Sequence, residues 1–384
     1  MRKPEIKNLK KAAKRIIKAV KNKEKIILYG DADLDGVSSI VILKETIQNL
    51  GGSVSAVFFP DREKDGYGIS QKALNQLKDF APALIISADL GIGNFEQVKL
   101  ANSMGFEVII IDHHQPLGEL PDASIIVDPK QKGDRYPFKE LAAAGIVFKL
   151  SQAVFGKKFS ESLKNSFLEL AALATLADLM PVTEDNKILV GQGLKTLSNT
   201  FRPGLKSFFE VLGSPNGAGN NLQKIVSALN TCEIANNINQ TYLLLISSSS
   251  EEVKKITQNL LDKSQQKQFR VKEITREVER RIKNKLNEPI IFEGDSFWPL
   301  ILAGSVASIL CQKYERPAFI FKKDENESYG SVRVPKGMNS VDAMASCAEL
   351  FITFGGHPVA SGFRIKNENL SKFKECLVKY FTNK

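Results

Sequence analysis

Ile26-Ile27-Leu28-Tyr29-Gly30-Asp31-Ala32-Asp33-Leu34-Asp35-Gly36-Val37-Ser38-Ser39 decides how the rest of the chain is read. A short apolar, β-prone run stops at three carboxylates spaced two apart and followed by a glycine. A helical pattern of Val41, Ile42, Leu43 and Ile47 then begins. The order is strand, acidic loop, helix, with the loop at the C-terminal end of the strand. Open α/β sheets bind ligands at that edge. Like charges so close repel unless a cation sits among them, and hard divalent cations take carboxylate oxygens. The competing reading is an acidic surface turn. An EF-hand loop fits less well, because the position where it needs a glutamate is Ile42.

Strand and helix alternate from residue 26 to about 130. Strands are predicted at 26–29, 54–59, 84–87, 107–111 and 125–127, with helices at about 37–50, 70–79 and 94–104. This is the pattern of a doubly wound parallel sheet. Helical segments follow at 142–155, 162–177 and 187–197, then shorter ones punctuated by Pro203, Pro215 and a glycine loop at 217–219. Residues 250–287 are charged, lack Pro and Gly, and read as one long connector helix. From Pro289 a second mixed region begins. It has strands at 290–292, 318–322, 329–333 and 363–365, and helices at 303–314, near 341–350 and from about Asn369. The expected domains are a basic amphipathic helix at 1–25, an α/β domain at 26–249, a connector helix at 250–288 and a smaller mixed α/β domain at 289–384.

Composition narrows the class. With 43% hydrophobic and 25% charged residues, the 384-residue chain is that of an ordinary soluble globular protein with core enough for two or three domains. No apolar run approaches the roughly 18 residues of a membrane span, and the basic N-terminus has no apolar segment of a secretory signal. Cys232, Cys311, Cys347 and Cys376 are scattered without a CxxC pair. That suits reduced thiols and a cytoplasmic location, and argues against structural zinc. Nearly all of the net charge of +10 falls in residues 1–25, which hold eleven Lys or Arg against Glu5 and Glu24. Ile6, Leu9, Ala13, Ile16, Ile17 and Val20 recur there at helical spacing. This helix is either a solvated one docked by its apolar stripe or a contact for a polyanion.

Further strand ends carry chemistry. Ser87-Ala88-Asp89-Leu90-Gly91 ends one strand with an aspartate, and Ile109-Ile110-Ile111-Asp112-His113-His114 ends the next with Asp-His-His. Asp178 closes the otherwise apolar helix that runs into Leu179-Met180-Pro181. A single strand-end aspartate is ordinarily a cap, but acids at three successive strand ends converge on one edge of a parallel sheet. Carboxylates with one or two imidazoles and no thiolate suit Mn²⁺ or Mg²⁺. There are enough of them for two metals that activate water and stabilise a leaving phosphoester oxygen. The third histidine, His357, lies in Phe354-Gly355-Gly356-His357-Pro358-Val359-Ala360-Ser361-Gly362, where a glycine-rich turn is the default reading and a phosphate contact the alternative. Asp61-Arg62 and Gly330-Ser331-Val332-Arg333 are similarly weak phosphate contacts when taken alone.

Together these motifs resemble the DHH phosphoesterase superfamily, whose name-giving triplet is Asp112-His113-His114. They are most similar to its RecJ-like branch of single-strand-specific exonucleases, built from a DHH and a DHHA1 domain. The first motif of that branch looks like Asp31–Gly36 here, the second like Asp89–Ile92 and the fourth like Ala177–Pro181. Segments at 65–69, 144–150, 304–310 and 355–357 match others. The resemblance implies metal ligands at Asp31, Asp33, Asp35, Asp89, His113 and Asp178. It implies catalytic roles for Asp112, His114 and His357, with the two histidines touching the scissile phosphate. Arg62, Ser331 and Arg333, with Gly355, Gly356 and His357, would bind substrate.

The implied cofactors are two divalent ions, Mn²⁺ ahead of Mg²⁺. The implied reaction is 5′→3′ hydrolysis of a single strand, DNA ahead of RNA, with a repair or replication protein as a further partner and no membrane. Where the family has Arg-x-Asn-Ala-Ala-Gly-Arg, this chain has Ser227-Ala228-Leu229-Asn230-Thr231-Cys232-Glu233, so both arginines are missing. No OB-fold is expected after the DHHA1 region. These departures keep open a phosphodiesterase of short RNA or cyclic dinucleotides, and a nucleic-acid-binding subunit of low activity.

Overall fold

The computed structural model describes residues 4–116, 118–214, 220–283 and 287–382. Residues 1–3 of the expected basic helix, Pro215 and the 217–219 loop, residues 284–286 of the expected connector and the last two residues lie outside that description. The chain divides into two compact units, Met1–Ser264 and Gln265–Lys384.

The first unit is built on five parallel strands, β1 (Ile26–Gly30), β2 (Ala56–Phe58), β3 (Ala83–Ala88), β4 (Phe106–Ile111) and β5 (Ile125–Val127), in the order β2-β1-β3-β4-β5. After β1 the chain goes outward to β2, then returns past β1 to β3. The winding therefore reverses between β1 and β3, and a crevice opens at their C-terminal ends. The strands are apolar throughout because both faces are covered, and the alternation of side chains sorts them into two cores. Ile26, Leu28, Leu84, Ile86, Ile109 and Ile111 face one core; Ile27, Tyr29, Ile85, Val108 and Ile110 face the other.

Helices α1 (Leu9–Lys21), α2 (Leu34–Asn49), α5 (Ala143–Phe155) and α6 (Glu161–Ala177) build the first of those cores. Helices α3 (Gln71–Leu77) and α4 (Phe95–Ser103) build the second. Helices α7 (Glu184–Leu197), α8 (Pro203–Leu212), α9 (Asn221–Leu229) and α10 (Gln240–Ile246) follow, with a short hairpin of β6 (Ile234–Ala235) and β7 (Ile238–Asn239) before α10. Helix α11 runs Ser250–Ile282, and the division between units falls inside it.

Boundaries differ from expectation for local reasons. Helix α2 begins at Leu34 rather than near 37, because the Asp33 side chain accepts the Asp35 and Gly36 N–H groups as an N-cap. Strand β2 is shorter than 54–59, being an edge strand that pairs only with Ile27–Tyr29. Helix α1 buries Leu9, Ala12, Ala13, Ile16 and Ala19, while Ile17 stays 38% exposed. The buried stripe thus includes small alanines that pattern reading undervalues.

The second unit holds β8 (Ile291–Asp295), β9 (Ala318–Lys323), β10 (Glu327–Arg333), β11 (Phe351–His357) and β12 (Ala360–Lys366) in the order β11-β12-β10-β9-β8, parallel only at β8/β9. The second half of α11 and α12 (Leu300–Tyr314) pack on one face, and α13 (Ser340–Ala345) and α14 (Leu370–Thr382) on the other. The glycine-rich stretch 354–362 is not a turn throughout. Gly355 and Gly356 lie inside β11 opposite Gly362 and Ser361, and only Pro358 and Val359 turn. Gly356 has φ +134°, and a Cβ there would stand 2.6 Å from the Ala360 carbonyl, so the pairing needs glycine. The helix expected near 341–350 ends at Ala345.

The cysteines also correct the expectation of reduced thiols. Cys347 and Cys376 form a disulfide, while Cys232 and Cys311 belong to no disulfide among the described residues. Scattered spacing hid the pair because α14 folds back beside the segment after α13. No described helix is long and apolar enough to cross a membrane. The disulfide closes a loop with a sequence separation of 29. Reduction should therefore lower the stability of the second unit by about 3.5 kcal/mol, read as a shift in its denaturant midpoint with and without dithiothreitol.

Candidate metal centre

The parallel backbone ladder continues one residue past the strands. Asp31 N–H donates to Ala88 O at 3.2 Å, Asp89 N–H to Ile111 O at 2.9 Å and Asp112 N–H to Val127 O at 3.1 Å. Four strand-end aspartates, Asp31, Asp89, Asp112 and Asp128, are thereby set in one row. Asp89 has φ 65°, a left-handed backbone that Asp tolerates better than most residues. Asp128 was missed by sequence reasoning. Its signal was the same as that of its neighbours, an aspartate directly after an apolar strand. It is fully buried with Oδ2 lacking a hydrogen bond, and burial, then Asp112, push its carboxyl up to about 8.

Around this row the structure brings together all six expected ligands. Asp31, Asp33 and Asp89 form one group of converging oxygens, and Asp35, His113 and Asp178 form another. His113 Nε2 lies 3.1 Å from Asp89 Oδ1, 3.6 Å from Asp178 Oδ2 and 3.7 Å from Asp35 Oδ2, which links the two groups. Burial, followed by the neighbouring carboxylates, pushes Asp35 and Asp89 well above the usual range. Burial likewise keeps His113 neutral, the form in which imidazole ligates metals. A buried, mutually repelling set of oxygens with a neutral imidazole is what divalent cations bind, and so the donor chemistry fits that group.

Asp33 differs. Burial opposes its charge, but Arg62 and the Gly36 N–H outweigh this and bring it down to about 2. The Arg62 guanidinium pairs with Asp31 through Nε at 3.1 Å and through Nη2, reaches Asp33 at 2.9 Å, and lies over the Tyr67 ring. It therefore stands among the ligands of this unit. Asp112 is a hub. Its Oδ1 accepts the His113 N–H at 2.8 Å and meets His114 Nδ1 at 2.8 Å, while Oδ2 accepts the Ile92 N–H at 3.0 Å. Burial works against the His114 imidazolium, but Asp112 dominates and raises His114 to about 9.

Several residues that carry no charge hold the acidic loop. Asn230 Oδ1 accepts the Leu34 N–H at 2.9 Å, and Asn239 Nδ2 donates to the Ala32 carbonyl at 2.7 Å. Asn239 Oδ1 also accepts from Thr241 and Tyr242, capping α10. Asn230 belongs to the segment whose family arginines are missing, and Glu233 there pairs with Lys263 at 3.6 Å. A Cβ on Gly36 would meet Asp31 backbone oxygen at 2.4 Å, so this glycine is required by close approach.

The other expected site residues belong to the second unit. Ser331 and Arg333 project from the same face of β10 above Gly304, where a Cβ would stand 3.1 Å from Arg333 Nη2. Arg333 pairs with Ala360, which pairs with His357. Ser331 pairs with Gly362, which pairs with Gly355. Ser331, Arg333, Gly355 and His357 therefore share one sheet face, and Gly356 lies between the last two on the opposite side.

Acids and imidazoles at the switch point of a parallel sheet, on a chain with a second mixed α/β unit, define a DHH–DHHA1 protein. Residues 25–175 match the model of the DHH family N-terminal domain and residues 287–383 that of the DHHA1 domain. The chain belongs to this family, in its RecJ-like branch. It is 35% identical over 379 residues to the single-stranded-DNA-specific exonuclease RecJ of Bacillus subtilis, covering 97% of this chain and 48% of that protein. The Haemophilus influenzae RecJ is 28% identical, with 95% and 68% covered. An exonuclease RecJ crystal structure bound to manganese superposes with TM-score 0.78 at 25% identity, covering 99% of this chain and 96% of that one. The chain thus spans about half the length of the Bacillus relative.

Asp35 has a second duty that can be measured apart from any metal. Its Oδ2 accepts the Ala143 N–H at 2.7 Å and its Oδ1 the Ala144 N–H at 2.8 Å, capping α5, whose own N-cap position is Ala142. In metal-free protein Asp35→Ala should cost about 1–2 kcal/mol. Asp35→Asn keeps one of the two acceptors and sheds the repulsion, so it should fall between the parent and Asp35→Ala. Urea unfolding of both variants in EDTA checks this.

Proposed function

We propose that this chain is a metal-dependent exonuclease that removes nucleotides from single strands, DNA ahead of RNA, in the 5′→3′ direction. The observation that carries the reading is the convergence of Asp31, Asp33 and Asp89 with Asp35, His113 and Asp178 at one sheet edge. The substrate class comes from the relatives, which are named single-stranded-DNA-specific exonucleases. In this reading those six residues hold two divalent cations, manganese ahead of magnesium, as the manganese-bound relative suggests. Bound cations supply the water activation and charge neutralisation that phosphodiester hydrolysis needs.

The chain's own groups supply the rest. Asp112 is a positioning residue that fixes the His114 ring through Nδ1 and keeps it cationic, so its other nitrogen can donate to a phosphate oxygen. Arg62 supplies a planar guanidinium suited to a phosphate once cations neutralise Asp31 and Asp33. Ser331, Arg333 and His357, on a face kept low by Gly355, are further phosphate donors from the second unit. The DHH region (26–249) is assigned the chemistry, residues 250–288 the connection and the DHHA1 region (289–384) the grip on substrate. A cytoplasmic setting and a repair or replication partner belong to the same reading. A preference for short RNA or dinucleotides is the second reading, favoured by Glu233 standing where the family has arginine.

Asp89→Ala or Asp33→Ala should reduce Mn²⁺-dependent hydrolysis by more than about a hundredfold, since cation-assisted stabilisation is worth several kcal/mol. Circular dichroism should be unchanged. The assay is digestion of end-labelled single-stranded DNA and RNA read from both ends. Activity retained by either variant would overturn the metal assignment, and preferential cleavage of dinucleotides would move the function to the second reading.

A further inference from the structure

Helix α1 carries a charge that the metal centre does not use. Its apolar stripe is buried, and Lys10, Lys14, Lys18 and Lys21 are all exposed on the opposite side. At 100° per residue these four fall within an arc of about 80° and span roughly 16 Å of helix. Among the described residues Lys14 and Lys21 make no ion pair, Lys18 acts on Glu107 only from beyond ion-pair distance, and Lys10 meets the exposed Glu5. The single arginine of the helix is spent differently. Arg15 binds Glu107 at 2.6 Å and is tied to Glu24 as well, clamping the helix to the body. Arginine therefore fastens the helix, and a row of lysines is left facing water.

The fastening also fixes the direction of that row. Asn8 Nδ2 donates to the Ile126 carbonyl near the C-terminal end of β5 at 2.9 Å, Lys11 Nζ to Ser124 O at 3.3 Å, and Arg15 reaches Glu107 near the start of β4. The helix thus runs antiparallel to the strands. Its N-terminal end lies toward the edge that carries Asp89, Asp112 and Asp128. Strand β5 stands two strand spacings, about 10 Å, from β3. The lysine ridge accordingly climbs one side of the first unit toward the metal centre.

We propose that this ridge is a rail for the sugar-phosphate backbone of the part of a nucleic-acid strand outside the metal centre. It would bind by charge and without base recognition. A row of exposed lysines suits repeated phosphates, because each contact releases condensed counterions and none requires a fixed geometry. The occupant named here rests on the single-strand substrate proposed above, whereas the ridge itself does not depend on hydrolysis.

The test compares the full chain with a combined Lys10→Gln, Lys14→Gln, Lys18→Gln and Lys21→Gln variant and with its all-arginine counterpart. Binding of labelled oligo(dT) of about 20 nucleotides is followed by anisotropy in EDTA across a salt series. The glutamine variant should lose about 2–3 from the slope of log K against log salt, and the arginine variant should keep it. Mn²⁺-dependent hydrolysis of a trinucleotide, too short to reach the ridge, should be equal in all three. An unchanged slope in the glutamine variant would overturn the rail. A glutamine variant that loses binding to phosphatidylcholine vesicles containing phosphatidylserine, but not to the strand, would overturn it in favour of a membrane contact. Strand binding with the expected slope change but no hydrolysis by the parent would sink the exonuclease reading and leave the rail standing.

Discussion

The constraint on which this protein depends is the parallel hydrogen-bond ladder that runs one residue beyond its strands. Because Asp31, Asp89 and Asp112 each donate a backbone N–H to the neighbouring strand, their side chains have no freedom to separate. Adjacent strands lie about 4.8 Å apart, a spacing at which buried carboxylates cannot all stay charged without compensation. The molecule answers in different ways along the row. Arg62 compensates Asp31 and Asp33. His114 compensates Asp112. Asp35, Asp89 and Asp128 are driven toward protonation, because burial and neighbouring carboxylates outweigh whatever positive charge reaches them. This under-compensated part of the row is where a divalent cation gains most.

Holding such a loop against its own repulsion requires support from neutral groups. Asp33 caps α2, and Asp35 caps α5 from a distance. Asn230 and Asn239 grip the backbone at Leu34 and Ala32. Gly36 lets the first turn of α2 approach Asp31. Asn239 uses both ends of its amide, donating through Nδ2 to Ala32 O while Oδ1 accepts from Thr241 and Tyr242, which a carboxylate could not do. The segment around Asn230 thus keeps a structural duty although its family arginines are absent.

The second unit uses small residues where the first uses acids. Gly304, Gly355, Ala360 and Gly362 keep side chains out of the way of Ser331, Arg333 and His357. A face lowered in this way offers hydroxyl, guanidinium and imidazole donors, which suit an anion.

The doubly wound sheet, the acidic loop and the Asp-His-His strand end were legible in the sequence. Apolar strands covered on both faces read as unbroken runs, and a strand-end acid is visible as an abrupt change of polarity. The DHH and DHHA1 motifs were legible for the same reason. What the sequence could not contain is anything that depends on distant segments meeting. The pairing of Cys347 with Cys376, the strand formed by Phe351–His357, the cap that Asp35 places on α5, and Asn239 on Ala32 all join residues whose spacing follows no local period. Asp128 is intermediate, since it stood in plain view after Ile126 and Val127 but needed the register of β4 and β5 to acquire its neighbour. The sequence by itself determined which residue types end each strand of this protein. Only the tertiary structure decided which of those acids a cation would have to neutralise, because like charges matter only once the ladder has brought them together.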